Sequence, residues 1–320
     1  MQDQIIHFLK NAENYLSGEE ISRHFKISRA AIWKSIQDLR SQGYDIVAVP
    51  HLGYKLVSCP DQLIPREIQF GLNTKVFGKN IVSYDSVSST MDLAFRLGLD
   101  GAAEGTVVCA ETQTKGRGRL GRVWNSPKGK GIYLSIILRP SLPPTDVARL
   151  TLLGAVAVAE AIQKVSGILP KIKWPNDLLI NNKKVAGILT EMSAEMDRVR
   201  FVVLGLGINV NTPANLLPDH ATSLKVETQK TISRVELIQN ILVSLEFWYD
   251  NLKKNGFEPV IERWKNLSLT LGQRIRIVDP SGTVEGEAID LDSHGGLVIR
   301  NNFGICVQRM SGDVIHESVS

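Results

Sequence analysis

The pattern of apolar and polar positions changes character three times along the chain. Over residues 1–64 apolar residues recur at helical spacing, first Ile5, Ile6, Leu9 and Leu16, then Ile32, Ile36 and Leu39 at i, i+4 and i+7. Ser17-Gly-Glu-Glu20 is a capping box that opens a short helix ending at Phe25. Lys26-Ile27-Ser28 is a tight connection, Ser28 is a natural cap for the next helix, and Gly43 stops that helix. Two strands, Asp45 to Pro50 and Tyr54 to Val57, then flank His51-Leu52-Gly53. Two tightly joined helices followed by a β-ribbon predict a winged helix-turn-helix.

Cys59-Pro60-Asp61 to Pro65 reads as a linker. Beyond it, to about residue 268, strands mix with helices. Strands are expected over 81–85, 106–111, 132–138, 171–174, 178–180, 185–192 and 201–209, and helices over 90–99, 146–165, 234–254 and 257–267. Asn181-Asn182 between two apolar runs is a hairpin turn, because Asn tolerates positive φ. Consecutive hairpins predict a mainly antiparallel sheet with helices, hence an α+β fold and not a doubly wound one. From Gly272 onward, short β-rich runs over 274–278, 285–290, 297–300 and 305–308 alternate with turns, which suggests a small SH3-like barrel. The expected domains are therefore 1–64, 65–268 and 269–320.

Composition narrows the classes. Hydrophobic residues make up 43% and charged residues 22% of the 320, ordinary values for a globular protein. The three cysteines, Cys59, Cys109 and Cys306, form no Cys-x-x-Cys, so neither a disulfide framework nor a zinc ribbon is expected. The polar opening Met1-Gln-Asp-Gln is unlike a signal peptide, and no apolar run reaches the ~18 residues of a membrane span. A cytoplasmic protein with no membrane partner is expected.

The net charge of +4 matters through its location. Six cations (Lys115, Arg117, Arg119, Arg122, Lys128 and Lys130) fall between 115 and 130 with no acid among them, and the rest of the chain carries −2. Gly116-Arg-Gly-Arg-Leu-Gly121 inside that run matches Gly-x-Gly-x-x-Gly. A dinucleotide fingerprint must open a helix, however, and Pro127 with the following glycines prevents one. The kinase reading fails for want of His-Arg-Asp and Asp-Phe-Gly, and no Walker A motif occurs. What remains is a glycine-rich basic loop whose arginine forks suit phosphate or carboxylate; the alternative is a solvated loop with incidental charge.

Three further segments carry polar groups. Lys173-Trp-Pro-Asn-Asp177 is followed by Lys183-Lys184-Val-Ala-Gly187-Ile188, where Asp177 could orient a lysine or hold Mg²⁺ and Gly187 leaves room for a ligand. Gly205-Leu-Gly-Ile-Asn209-Val-Asn211 lets a ligand lie against bare backbone beside two amides. Ser89 and Thr90 stand before a helix, where they either cap it or bind a polar group. Each segment also reads as ordinary turn and cap chemistry. Gly-x-Ser-x-Gly, His-Glu-x-x-His and a catalytic-looking Cys/His pair are all missing, which favours phosphate and carboxylate chemistry.

Taken together, Ser89-Thr90, Glu111-Thr-Gln113 before Gly-Arg-Gly-Arg-x-Gly-Arg122, Lys-Trp-Pro-Asn-Asp177, Lys184-x-Ala-Gly-Ile188 and Gly-x-Gly-Ile-Asn209 resemble biotin–protein ligases in order and spacing. With residues 1–64 the whole chain resembles the bifunctional subclass, both ligase and biotin operon repressor. Met91 is a departure, since many relatives carry Asn there.

The resemblance implies a class II synthetase-like catalytic fold and two-step chemistry, with biotin and ATP giving biotinyl-5′-adenylate before transfer to a carrier lysine. It implies catalytic roles for Lys184 and Arg119. It implies a biotin site of Ser89, Thr90, Met91, Gln113, Gly116, Arg117, Gly118, Arg119, Lys184 and Gly187. Arg119, Arg122, Trp124, Asn176, Lys184, Asn209 and Asn211 would serve the nucleotide, with Mg²⁺ at Asp177. The implied partners are the biotin carrier domain of acetyl-CoA carboxylase or pyruvate carboxylase, operator DNA, and a second copy of the chain once the adenylate is bound. The polar face of the third helix places Ser28, Arg29, Trp33, Lys34, Gln37 and Arg40 toward DNA. The rival expectations are a lipoate or octanoate ligase of the same fold and a ligand-responsive repressor without catalysis.

Overall fold

The computed structural model describes residues 1–279 and 282–316. The chain divides into two compact units, Met1–Gln62 and Leu63–Ser320.

In the first unit, helices α1 (Gln2–Lys10), α2 (Gly18–Phe25) and α3 (Arg29–Ser41) precede strands β1 (Asp45–Val49) and β2 (Gly53–Ser58). Ser17 Oγ accepts the Glu20 N–H at 3.0 Å and Ser28 Oγ accepts the Ala31 N–H at 3.2 Å, so both helix starts are capped by the expected serines. Ile5, Ile6, Leu9, Ile21, Ile32, Ile36 and Leu39 close the core with Tyr44 and Ile46. Leu16 does not extend α1. It lies past the helix end and pairs with Tyr54, its N–H donating to the Tyr54 carbonyl at 2.9 Å. Burial against the ribbon explains an apolar residue that spacing alone assigns to the helix.

The second unit contains helices α4 (Pro65–Gln69), α5 (Thr90–Leu99), α6 (Ala148–Ser166), α7 (Leu224–Thr228), α8 (Arg234–Asn255) and α9 (Glu258–Leu267). Its strands β3 (Ile81–Tyr84), β4 (Val107–Ala110), β5 (Gly131–Leu138), β6 (Lys171–Lys173), β7 (Asp177–Ile180), β8 (Lys183–Glu195) and β9 (Arg198–Asn209) form a sheet ordered β3-β4-β5-β9-β8-β7-β6. The β3–β4 pairing is parallel and the others are antiparallel. β5 is buried along its whole length, and alternate residues of β5 and β9 serve two cores. Leu134, Ile136, Val202 and Leu204 belong to the large core with α6 and α8, whereas Ile137, Phe201 and Val203 meet Met91 and Ala94 of α5. The sheet is thus covered on both faces, and its central strands hold the loops at their ends in fixed positions.

Strands β10 (Arg274–Asp279), β11 (Gly282–Leu291), β12 (Leu297–Asn301), β13 (Cys306–Arg309) and β14 (Asp313–His316) form an antiparallel sheet ordered β13-β12-β11-β10-β14. Five short antiparallel strands fit the expected SH3-like barrel. Ile275, Ile277, Ala288, Leu297, Ile299 and Val314 run into the large core of the second unit. The Trp174 indole N–H donates to the Gly295 carbonyl at 3.1 Å, which moors this sheet to the β6–β7 turn. Among the described residues no helix is long and apolar enough to cross a membrane.

Candidate active site

The basic loop lies between β4 and β5. At its start Glu111 accepts the Leu63 N–H at 2.8 Å and pairs with the buried Arg234 guanidinium at 2.6 Å. Farther on, Gln113 bridges to Val87 and Arg117 bridges to Val123, so the loop is a built hairpin rather than a solvated coil. Its crowded charge is partly answered within the protein. Arg117 meets Asp92 at 2.7 Å and Glu191 at 2.9 Å, Lys128 meets Asp85 at 2.6 Å, and Arg122 pairs with Asp313. Arg119 instead finds neutral acceptors, Asn176 Oδ1 at 3.1 Å and the Gly312 carbonyl at 3.4 Å. Burial pushes its guanidinium below the usual arginine range. A half-buried cation held by neutral oxygens is ready for an anion.

The loop walls a cavity of about 540 Å³, a size that takes a small-molecule ligand. Two polar clusters line it. In the first, Gln113 Oε1 accepts the Thr90 N–H at 2.9 Å, and Ser135 donates to Thr90 Oγ1 at 2.9 Å. Gln113 Nε2 donates to Ser126 Oγ at 3.0 Å. Gln113 therefore supplies the cap that sequence assigns to Ser89 or Thr90. Ser89 occupies the position before α5 but makes no cap bond, and its buried Oγ has no partner among the described residues. An unsatisfied buried hydroxyl on a cavity wall is an expensive feature in an empty molecule and a useful one beside a polar ligand.

The second cluster is cationic. Lys184 Nζ lies 2.7 Å from Asp177 Oδ1, and its backbone is clamped by the His220 carbonyl and the Thr222 N–H, each at 2.9 Å. Lys173 also lines the cavity, and burial, with the nearby Lys184 and Arg122 charges adding to it, pushes its ammonium down against the pull of Asp177. Asn176 is a strut. Its Nδ2 donates to the Ile188 carbonyl at 2.9 Å while its Oδ1 holds Arg119.

Between the clusters, β8 and β9 present bare backbone at the facing pair Gly187 and Gly207. The Trp124 indole covers both. A Cβ on Gly207 would lie 2.5 Å from the ring and one on Gly187 3.2 Å from it. Lys184 Nζ stands 5.4 Å from the ring centroid, and the buried indole N–H has no partner. Gly116 does not line the cavity, but a Cβ there would meet the Trp124 carbonyl at 2.5 Å, so glycine lets the loop close on itself.

Of the residues singled out from sequence, Ser89, Thr90, Met91, Gln113, Arg117, Gly118, Arg119, Arg122, Trp124, Asn176, Asp177, Lys184, Gly187 and Asn209 line this one cavity. Asn211 does not. Its amide is spent on Ile232, donating to the carbonyl at 2.8 Å and accepting the N–H at 3.0 Å. Asn209 lines the wall while its Nδ2 donates to the Thr222 carbonyl at 3.1 Å. Thr212, unnoticed in sequence, lines the cavity with a buried and unpartnered Oγ1. Asp313 was equally unforeseen, because the short strand that carries it has no clear alternation.

No cluster of three or more His, Cys, Asp or Glu side chains that could hold a metal occurs among the described residues. Asp177 offers one carboxylate already paired with Lys184. That donor set fits a Mg²⁺ ion carried on a polyphosphate, which needs only one or two protein carboxylates, and not a resident protein-caged metal.

In the first unit, Trp33 and Lys34 are exposed on α3 and Gln37 is half-buried. Arg29 is exposed and pairs with Glu19 at 3.4 Å. Ser28 Oγ is engaged as the helix cap. Arg40 is committed to the ribbon, its Nε donating to the Ile46 carbonyl at 2.9 Å.

Comparison with known proteins places the chain among characterised ones. Residues 83–209 match the biotin/lipoate A/B protein ligase family, residues 2–55 an HTH domain and residues 270–316 the biotin protein ligase C-terminal domain. The bifunctional ligase/repressor BirA of Bacillus subtilis is 44% identical over 308 residues, 95% of each chain. The Escherichia coli protein of the same description is 30% identical over 97% of this chain and 95% of its own. The biotin protein ligase of Aquifex aeolicus in complex with biotin and ATP superposes with a TM-score of 0.65 at 31% identity, over 75% of this chain and 99% of that one.

Proposed function

The chain belongs to the biotin protein ligase family in its bifunctional ligase/repressor form, and from that premise we propose that it activates biotin with ATP, biotinylates a carrier lysine and represses transcription in response to biotin. The observation that carries the reading is the single cavity with two clusters: neutral donors and acceptors around the unpartnered Ser89 hydroxyl in one, converging cations in the other.

The neutral cluster suits biotin. Ser89 Oγ offers a free hydroxyl to the ureido ring, and Thr90 is held in place by Gln113 and Ser135. Met91, Gly116, Arg117, Gly118 and Gly187 shape the same pocket in this reading, and Trp124 gives the ring system an apolar floor. The cationic cluster suits ATP. Joining a carboxylate to an α-phosphate brings like charges together, so positive groups fixed before reaction lower the barrier. Lys184 and Arg119 do this at the reacting atoms, with Arg122, Asn176 and Asn209 on the nucleotide side. Asp177 would hold Mg²⁺ on the triphosphate, where the ion supplies charge neutralisation. Asn211 acts one layer back by fixing the Thr212 segment.

The acceptor is the biotin carrier domain of a carboxylase. The winged helix-turn-helix of the first unit binds operator DNA through Ser28, Arg29, Trp33, Lys34 and Gln37, with Arg40 bracing the wing. Two units on a palindromic site require a dimer, which the adenylate favours by ordering the loop. The domains act as 1–64 for DNA, 65–268 for catalysis and 269–320 as a support that closes on the loop through Asp313. The setting is the cytoplasm.

The deciding experiment incubates the protein with ATP, an apo carrier domain and either biotin or lipoate, and reads the carrier's mass. A biotin adduct that requires ATP is expected. Labelling by lipoate alone overturns the reading, and biotin binding without pyrophosphate release points to a repressor without catalysis.

A further inference from the structure

A second cavity of about 130 Å³ meets the large one at Arg119, Pro175, Ile188 and Leu189. It lies where α6, β8 and the residues before β14 converge, and Thr151, Leu152, Thr190 and Met310 complete most of its wall. Its size excludes a nucleotide or a fused bicycle. At about four water-sized volumes it holds a chain of four or five heavy atoms.

The ligase reaction, on which this inference rests, needs a third reactant. An amine must reach the acyl-adenylate after the basic loop has closed over it, and the loop is pinned on both flanks, by Arg117 to Asp92 and Glu191 and by Arg122 to Asp313. We propose that the smaller cavity is the passage through which the acceptor lysine side chain reaches the acyl group.

The chemistry of the walls agrees. Leu152, Ile188, Leu189 and Met310 form an apolar sleeve that suits a butyl stem. The polar side chains are the Thr151 and Thr190 hydroxyls, 2.7 Å apart and able to accept from an amine, Ser311, and Arg119 at the junction. No carboxylate lines the passage to stabilise an ammonium. An apolar sleeve ending at a guanidinium disfavours the protonated form and delivers the neutral amine that the step requires. That amine adds to the acyl carbonyl, the C–N bond forms, and the acyl C–O bond to phosphate breaks. AMP departs with the bonding pair and one amine proton passes to solvent.

The test plugs the passage from its rim with two separate substitutions, Ala148→Trp and Ser311→Trp, in the full chain. Neither position lines the large cavity. Adenylate formation is read as pyrophosphate release, and transfer as single turnover to saturating apo carrier and, separately, to n-butylamine, which needs no docking surface. Expected are pyrophosphate release within about twofold of wild type and transfer to both acceptors slower by at least about tenfold. Unchanged transfer to the carrier overturns the proposal. So does slow carrier transfer with normal butylamine reaction, which signals lost docking only, and so does a matching fall in both half-reactions. A wild-type protein that releases no pyrophosphate with biotin and ATP would sink the ligase reading instead.

Discussion

The Lys184 ammonium rests 2.7 Å from the Asp177 carboxylate while facing the Trp124 ring at 5.4 Å. A charge with one carboxylate partner and one aromatic face is positioned before any substrate arrives. Replacing it by the isosteric but neutral Met should slow adenylate formation by roughly 10²–10³, the usual loss for one preorganised stabilising group. Arg at the same place should restore little, because a longer planar fork does not put its charge where the compact ammonium sits beside Asp177. Biotin-dependent exchange of pyrophosphate into ATP measures both.

Arg119→Ala should separate making the adenylate from keeping it. The guanidinium bridges Asn176 and Gly312 beside the cavity. Its loss should let adenylate escape, so that bystander lysines become biotinylated. Mass spectrometry of a mixture of carrier and unrelated protein reads the outcome. A variant as selective as wild type would show that Arg119 has another role.

Gly207→Ala puts a methyl 2.5 Å from the Trp124 ring, where one of the two must move. Overpacking of this kind costs ~1–3 kcal/mol and should appear as a lower thermal midpoint and weaker biotin binding. Adding Trp124→Ala should recover much of the stability but not the binding. Additive stability losses in the double variant would mean that ring and glycine do not share the site in solution.

Acid sensitivity should come from the second unit. Glu246 of α8 accepts the N–H groups of Lys75, Val76 and Phe77 at 2.7, 2.6 and 3.0 Å. Burial alone would raise its carboxyl, but these donors hold it below the usual glutamate range of 4.5. Glu104 behaves alike: burial would raise it, and bonds from Tyr249, the Arg139 N–H and Lys253 bring it lower. A carboxylate with a depressed folded-state pKa stabilises fully above its unfolded value and loses that contribution as pH falls through the folded one. Glu246→Gln should therefore be less stable than wild type at pH 7, by under about 1 kcal/mol because solvent screens the partly exposed carboxylate, and the gap should close in acid. Urea unfolding across pH gives the comparison, and a gap that widens in acid would contradict it.

On α3, Lys34 and Arg40 should fail differently. Lys34 is exposed, so Lys34→Ala should weaken operator binding and reduce the salt slope by about one. Arg40 donates to Ile46, so Arg40→Ala should lower the melting temperature of the first unit and leave the slope nearly unchanged. Gel shifts at several salt concentrations separate the two.

These contrasts show what the sequence could and could not supply. Long periodic helices, the Asn181–Asn182 hairpin, the serine caps and the cations of the basic loop are local properties, legible in a single chain. The missed helices α4 and α7 have five residues each, too few for a second turn to repeat the pattern. The acids that answer the loop, Asp85, Asp92, Glu191 and Asp313, come from three separate stretches and meet it only through the fold. Counting charge along the chain therefore overstated how bare the loop is. Asn211 looks like Asn209 on paper, two residues apart on one strand end, yet a single turn gives one the cavity wall and the other a backbone clamp.

The indole on the glycine pair has a practical corollary. Trp124 belongs to the cavity lining, half-buried, with a nitrogen that no protein group engages. Trp33 lies in the other unit, and Trp248 and Trp264 are packed in the core, whereas Trp174 also borders the cavity but is buried with its N–H already bonded to Gly295. Occupancy of the cavity thus has a native optical signature. Ligand that covers the Trp124 ring or accepts from its nitrogen must shift its emission, with Trp174, buried and already bonded, as a second lining fluorophore, so the protein carries its own titration dye.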